Sequence, residues 1–125
     1  MRMIVKTSEL TGIALDWAVA VAEGYTCKGE SITRNNPLDD GALEHVWIKD
    51  YSPSTVWAQG GPIIEREGIS IVLDWDVVGE FLWGATRIEG PAVSSEQGPT
   101  PLIAAMRCYV ASKLGDEVAI PDGLV

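Results

Sequence analysis

The N-terminal part of the chain shows the apolar spacing of an amphipathic helix. Thr7-Ser8 precedes it and offers hydroxyl groups that can accept hydrogen bonds from the free N–H groups of a helix start. Gly24 follows it as a natural helix end. The pattern therefore predicts a helix from about Glu9 to Glu23. Its apolar positions, three or four residues apart, are Leu10, Ile13, Ala14, Trp17 and Val21.

A second helix is predicted near the C-terminus. Thr100 is a good N-terminal cap, and Pro101 suits the first helical position, where its missing N–H would be unpaired in any case. Gly115 suits the position just past the end. The apolar face between these signals consists of Leu102, Ala105, Met106, Tyr109, Val110 and Leu114.

Several segments favour β-strands. Ile69–Asp74 and Phe81–Ile88 alternate between two faces and contain β-branched or aromatic residues. The stretch between the second of these and the C-terminal helix, Glu89–Gln97, is predicted to be a loop. Shorter strand or extended-edge candidates are Met3–Lys6, Cys27–Thr33, Val46–Ile48 and Glu117–Pro121.

Two segments are predicted to lack regular structure. Tyr25–Leu43 is polar and contains the turn sequences Asn35-Asn36-Pro37 and Asp39-Asp40-Gly41, so it indicates an irregular loop around one short strand. Tyr51–Pro62 combines Pro and Gly with aromatic residues that favour burial. It is predicted to be an ordered loop.

These elements predict one α+β domain over residues 1–125. The expected architecture is a small antiparallel sheet of about three to five strands, packed by the N-terminal and C-terminal helices on one face. An apolar second face would favour a homodimer. The chain has five tryptophans, at positions 17, 47, 57, 75 and 83, and core positions are the simplest interpretation for them.

Composition changes the expected partners. The net charge is −9, which disfavours duplex nucleic acid as a partner and suits a basic partner protein. No apolar stretch approaches the roughly 20 residues that span a bilayer, so no membrane association is expected. No secretory signal is visible, and Cys27 and Cys108 favour reduced thiols in a cytoplasm.

The Tyr51–Gly61 part of the ordered loop and one arginine supply the candidate binding site. Hydroxyl and amide groups lie beside two aromatic side chains, with two glycines that allow close backbone approach. Arg107 lies at the polar edge of the C-terminal helix, where its guanidinium could hold a phosphate or carboxylate. The alternative is that the loop satisfies its own backbone and Arg107 pairs locally. The candidate residues are Tyr51, Ser54, Thr55, Trp57, Gln59, Gly60, Gly61 and Arg107.

Other groups of residues give weaker indications of a metal or catalytic site. Asp74 and Asp76 flank Trp75 and could share a face, but two carboxylates without a third ligand specify little. His45 is the single histidine, and its spacing from the cysteines predicts no zinc site. No nucleophile, base and acid set is recognisable, so no catalytic residue, metal or cofactor is predicted.

Blocks of residues in order along the chain carry a family resemblance. They are Thr7–Gly12, Ala14–Ala20, Tyr51–Ile69, Trp83-Gly84-Ala85, Gly98–Cys108, Gly115–Val118 and Pro121. This pattern resembles the NinX-like proteins of tailed bacteriophages and prophages, except that Val56 stands where a polar, often acidic, residue is expected.

The resemblance implies a phage accessory protein of unassigned activity in the cytoplasm of a bacterial host. Together with the residue chemistry, it favours a non-catalytic protein that binds a host protein or sequesters a small ligand. The alternative is a small enzyme of nucleotide or nucleic-acid metabolism, which would need Glu65, Glu67, Asp74 and Asp76 to converge in one pocket.

Overall fold

The computed structural model describes residues 2–28, 30–35, 43–75, 79 and 81–124. The helices within these residues are α1 (Gly12–Ala22), α2 (Trp57–Glu67) and α3 (Pro101–Leu114). The strands are β1 (Arg2–Lys6), β2 (Thr26–Lys28), β3 (Ser31–Asn35), β4 (Leu43–Trp47), β5 (Ser70–Trp75), β6 (Phe81–Glu89), β7 (Ala92–Gly98) and β8 (Glu117–Pro121). Short 3-10 helices cover Thr7–Glu9, Ile48–Asp50 and Asp122–Leu124.

The strands form three small antiparallel sheets. Their orders are β1-β8, β2-β3-β4 and β5-β6-β7. Helix α3 lies on the β5-β6-β7 sheet, while α1 packs against α3, β2 and β8. The α+β class, the antiparallel pairing and the helices near both ends are confirmed, with the strands divided among three sheets.

The two ends of the chain meet in the β1-β8 sheet. Arg2 lies opposite Pro121, and Lys6 lies opposite Glu117. Just beyond β1, the Thr7 amide donates to Asp116 O at 2.8 Å, and the Thr7 hydroxyl donates to Gly115 O at 2.7 Å. The predicted extended segment Glu117–Pro121 is therefore correct, and Thr7 serves this junction rather than capping α1.

The boundaries of α3 are those expected from its capping residues. The Ile103 amide donates to Thr100 Oγ1 at 3.1 Å, and Pro101 takes the first helical position. The helix ends at Gly115, whose φ of 91° is readily adopted by glycine. Its apolar residues face the core because α3 contacts α1, α2 and the β5-β6-β7 sheet.

The core lies around α3 and α1. Helix α1 is buried along Ala14–Ala20, including the charged Asp16, because neighbouring elements cover more than one of its faces. Trp17 is also buried there, as predicted. The core interpretation is wrong for Trp47, Trp57 and Trp75, whose side chains are at least half exposed.

The prediction of a loop across Tyr51–Pro62 is wrong from Trp57 onwards. Helix α2 begins at Trp57 and contains Pro62 in its interior. Pro and Gly each lower helix propensity, but packing of Gly60 and Ile63 into the interior outweighs that cost. The helix ends at Gly68, which has a left-handed backbone conformation.

Two loop predictions are replaced by hairpins. Glu89–Gln97 is not a loop, because β6 and β7 join through the two-residue turn Gly90-Pro91, with Glu89 opposite Ala92. Gly90 has a φ of 59°, which suits the first central position of a type II′ turn. The single strand predicted at Cys27–Thr33 is the β2-β3 hairpin, with Cys27 opposite Ile32.

Several predictions concern residues outside the described ranges. The turn at Asp39-Asp40-Gly41, most of the turn at Asn35-Asn36-Pro37, and Asp76 belong to this group. Within the described ranges, Cys27 and Cys108 are free thiols. None of the helices described is long and apolar enough to cross a bilayer.

Candidate functional site

The first half of the predicted site is anchored to the core. The Ser54 amide donates to Asp16 Oδ1 at 2.9 Å, inside the protein. Burial raises the pKa of Asp16, although the hydrogen bond from the Ser54 amide acts in the opposite direction. Tyr51 packs against Tyr25 with ring centroids 5.4 Å apart, and burial raises the pKa of Tyr51. Tyr51 and the Ser54 backbone therefore stabilise the fold.

Gln59 and Gly60 also have structural roles. The Gln59 side chain accepts a hydrogen bond from the Ser52 amide and donates to Asp50 O at 3.3 Å, so it fixes the approach to α2. A Cβ atom on Gly60 would overlap Pro53 O and lie 2.7 Å from Leu102 Cδ2. Glycine at this position allows α2 to pack closely against the preceding turn and α3.

Three of the predicted residues line a small pocket. Ser54, Thr55 and Trp57 meet the first turn of α3 around a cavity of about 220 Å³. Trp57 is more than half exposed, and the Ser54 hydroxyl is buried without a hydrogen-bond partner among the described residues. Gly61 does not line this pocket, and a Cβ atom there would meet no described atom within 4 Å.

Arg107 is separated from that pocket and is held by the backbone. Its Nε donates to Leu10 O at 2.7 Å, and its Nη1 donates to Gln97 O at 2.8 Å. Burial lowers the pKa of Arg107, while the nearby Glu96 carboxylate opposes this effect. The local-pairing alternative for Arg107 is therefore the one that its contacts favour.

A larger groove of about 630 Å³ is lined by residues of the β5-β6-β7 sheet, by Gly98 and Pro99, and by Arg107. Much of it is the face of the β5-β6-β7 sheet that points away from α3, which is called the outer face below. Directly opposed residues of paired strands share a face, and successive residues alternate between faces. The outer face includes Val72, Asp74, Gly84, Thr86, Ser95 and Gln97.

Sequence reasoning missed the outer face as a candidate site. The available signal was Gly84, because glycine inside a strand often marks a place where a ligand or another chain approaches closely. Its neighbours on β7 were assigned to a loop, so their position beside Gly84 could not be foreseen.

Two carboxylates of the enzyme hypothesis, Glu67 and Asp74, do not converge. Glu67 accepts ion pairs from Arg66 at 2.8 Å, Arg87 at 2.9 Å and Lys113 at 3.7 Å. Arg87 lies on the α3 side of the sheet, whereas Asp74 lies on the outer face. The described ranges contain no group of three His, Cys, Asp or Glu side chains placed to hold a metal.

An exposed aromatic pair lies at one end of the sheet. Trp75 and Phe81 are directly opposed on β5 and β6, with ring centroids 3.9 Å apart and planes tilted by 40°. Their side chains are 59% and 58% exposed. Leu73 lies two residues before Trp75 on the same face and is also exposed.

The family model described as "Bacteriophage P22, NinX" matches residues 6–113. The chain belongs to this family. Comparison with curated proteins gives no match. Membership of the NinX family identifies a bacteriophage accessory protein. The matched residues include the pocket at Trp57, the outer face and the Trp75–Phe81 pair.

Proposed function

We propose that this NinX-family protein is a non-catalytic accessory protein that binds a protein of the bacterial host through exposed aromatic side chains. The observation that carries the proposal is the adjacent aromatic pair Trp75 and Phe81, each more than half exposed. Large apolar side chains that are exposed to water lack the stabilisation that burial would give them. Such side chains are enriched where proteins bind one another. Trp57 supplies a second exposed aromatic side chain.

A protein partner suits these features better than a free small ligand. The pocket at Trp57 has a volume of about 220 Å³, below the roughly 300–1,000 Å³ of typical small-molecule sites. The groove of about 630 Å³ is within that range, but none of the exposed aromatic residues Trp57, Trp75 and Phe81 lines it. Trp75 and Phe81 lie side by side on the sheet and offer a surface to a partner. The net charge of −9 favours a partner with basic residues around its contact surface.

The test is affinity purification from phage-infected host cells, followed by native mass spectrometry of the recovered complex. Trp57→Ala, Trp75→Ala and Phe81→Ala would be compared with the wild-type chain. Trp47→Ala is the matched control, since Trp47 is half exposed but lies on β4, in a different sheet. Native circular dichroism spectra would confirm that each variant is folded.

The expected result is a partner recovered with wild type and Trp47→Ala and reduced at least about tenfold with Trp75→Ala or Phe81→Ala, as for aromatic hot spots. Equal recovery with all four variants would contradict the proposal. A complex containing only a small molecule would instead favour ligand sequestration.

A further inference from the structure

Gly84 occupies the interior of β6, the central strand of its sheet. It lies directly opposite Val72 of β5 and Gln97 of β7. Glycine inside a strand costs conformational entropy and offers no side chain for packing, so β-branched or aromatic residues are preferred there. Its presence needs a physical reason.

The packing of the chain itself does not require glycine at this position. Among the described residues, a Cβ atom on Gly84 would meet Asp74 Oδ2 and Val72 O, each at 3.8 Å, which are ordinary van der Waals distances. Its backbone is not among those with positive φ. Gly98 in β7 is different, because a Cβ atom there would lie 2.8 Å from Ala104 N. No described residue therefore fills the space above Gly84.

This depression is polar, and Asp74 lies beside it. Asp74 Oδ1 accepts a hydrogen bond from the Trp75 amide at 2.8 Å, which fixes the carboxylate, and Oδ2 lies beside the space above Gly84. The Thr86 and Ser95 hydroxyls, 3.1 Å apart, lie in the next row of the same face. Hydroxyl and carboxylate oxygens together suit a group that donates several hydrogen bonds and carries positive charge.

Arg107 does not neutralise this end of the groove. Its guanidinium donates to Leu10 O and to Gln97 O on β7, whereas Asp74 lies on β5. The two strands are separated by β6, so they lie about 10 Å apart, at the usual spacing between strands. A cation at this position is thus favoured by the negative charge of Asp74 and by the net charge of −9 of the chain.

Exposed apolar residues on the same face of the sheet indicate that a protein supplies the cation. Val72, Ile88 and Val93 lie on the same outer face and are 62%, 69% and 63% exposed. A free organic cation would leave these side chains in water. A partner surface that covers them while inserting one basic side chain would bury both the charge pair and the apolar surroundings.

We propose that the depression at Gly84 is a docking site for an arginine or lysine side chain of a partner protein. Asp74 pairs with the cationic group, the Thr86 and Ser95 hydroxyls accept hydrogen bonds, and Val72 contacts the apolar flank of the inserted segment. The site lies on the face opposite Trp75 and Phe81, so it goes beyond the proposed function and can fail independently of it.

The test is a ¹⁵N-NMR titration of the full chain with blocked tripeptides. The probes are acetyl-Val-Arg-Val-amide, the same peptide with neutral citrulline in place of arginine, and acetyl-Gly-Arg-Gly-amide. Gly84→Val fills the depression with a side chain that strands favour, and Asp74→Asn removes its charge. Glu65→Gln is the control for the change in net charge, since Glu65 is exposed on α2.

The expected result is saturable shifts of the Leu82–Thr86 and Ser95–Gln97 amides with the Val-Arg-Val peptide. Citrulline and Asp74→Asn should each weaken binding about tenfold, because charge-assisted hydrogen bonds are the strong ones. Gly84→Val should abolish binding without lowering the melting temperature, and Glu65→Gln should leave binding unchanged.

Three results would overturn the proposal. The first is equal affinity for the arginine and citrulline peptides. The second is unchanged affinity of the Asp74→Asn variant for the Val-Arg-Val peptide. Neither result depends on whether Gly84→Val folds. The third is equal affinity for the Val-Arg-Val and Gly-Arg-Gly peptides, which would assign the site to free cations rather than to a partner protein.

Discussion

Asp16 on α1 accepts a buried hydrogen bond from the backbone amide of Ser54, at 2.9 Å. This contact joins residues far apart in the chain and ties the segment before α2 to the most buried helix. The geometry positions the adjacent Thr55 and Trp57 at the pocket beside α3. A buried acid thus supports a candidate site that it does not itself line.

Two replacements of Asp16 separate the contribution of its hydrogen bond to stability from the contribution of its charge. Asp16→Ala should lower the free energy of unfolding by about 1–3 kcal/mol, because the buried Ser54 amide loses its acceptor. Asp16→Asn retains an acceptor and should cost less. Chemical denaturation of both variants measures the difference, and equal losses would contradict the role given to the acceptor oxygen.

The pH dependence of Asp16 has the opposite sign from that of most carboxylates. Burial raises its pKa above the ordinary 3.8, so the native state binds the proton more tightly than the unfolded state. The contribution of Asp16 to stability therefore falls as pH rises from 3.8 through the native pKa. Asp16→Asn should remove this decline, as measured by denaturation between those pH values.

Gly60 and Gly61 form a matched pair within α2. Gly60→Ala should destabilise the protein by about 1–3 kcal/mol, since the new methyl group would collide with Pro53 O and Leu102. Gly61→Ala meets no described atom and should stabilise the helix by about 0.5–1 kcal/mol. Thermal unfolding of the two variants should therefore shift in opposite directions.

Glu67 joins α2 to β6 and α3. Hydrogen bonding to Arg66 lowers the pKa of Glu67, with Lys113 and Arg87 adding to the effect. Its contribution to stability is therefore present above the ordinary value of 4.5 and is lost as pH falls through the lower native pKa. Glu67→Gln should cost about 1–3 kcal/mol near neutral pH, between the values for exposed and fully buried pairs.

The control for this variant is Glu89→Gln, because Glu89 pairs with Arg87 at 2.7 Å but is itself exposed. Denaturation at neutral pH should show a larger loss for Glu67→Gln. An equal loss for both variants would contradict the importance of the partly buried position.

Arg107 is expected to act on stability. Arg107→Ala should cost about 2 kcal/mol, because the Leu10 and Gln97 carbonyl groups lose charge-assisted hydrogen bonds. Arg107→Lys should restore only part of this, since an ammonium group cannot reproduce the planar fork. If Arg107→Ala left the free energy of unfolding unchanged but weakened partner binding, Arg107 would instead contact the ligand, as the sequence predicts.

Local signals in the sequence were sufficient for α3. Thr100, Pro101 and Gly115 act within one turn of the helix ends, so their effects do not depend on the rest of the fold. The same reasoning failed for α2, where Gly60 and Pro62 oppose a helix locally. Only the close approach of Pro53 and Leu102 explains why glycine is favoured there.

The candidate site was predictable in part. The sequence identified Ser54, Thr55 and Trp57, which do line one pocket, but it could not separate them from Gln59 and Gly60, which stabilise the fold. That distinction depends on contacts between residues distant in sequence. The exposure of Trp75 and Phe81 likewise follows from their place at the end of a sheet.

The sequence by itself determined the α+β class, the capped C-terminal helix and the family resemblance, because these depend on periodicity, capping and ordered blocks of residues. The tertiary structure alone decided the division into three sheets, the pairing of β7 with β6 and the free space above Gly84. Whether a glycine serves packing or leaves room for a partner depends on what surrounds it in space, which local sequence does not specify.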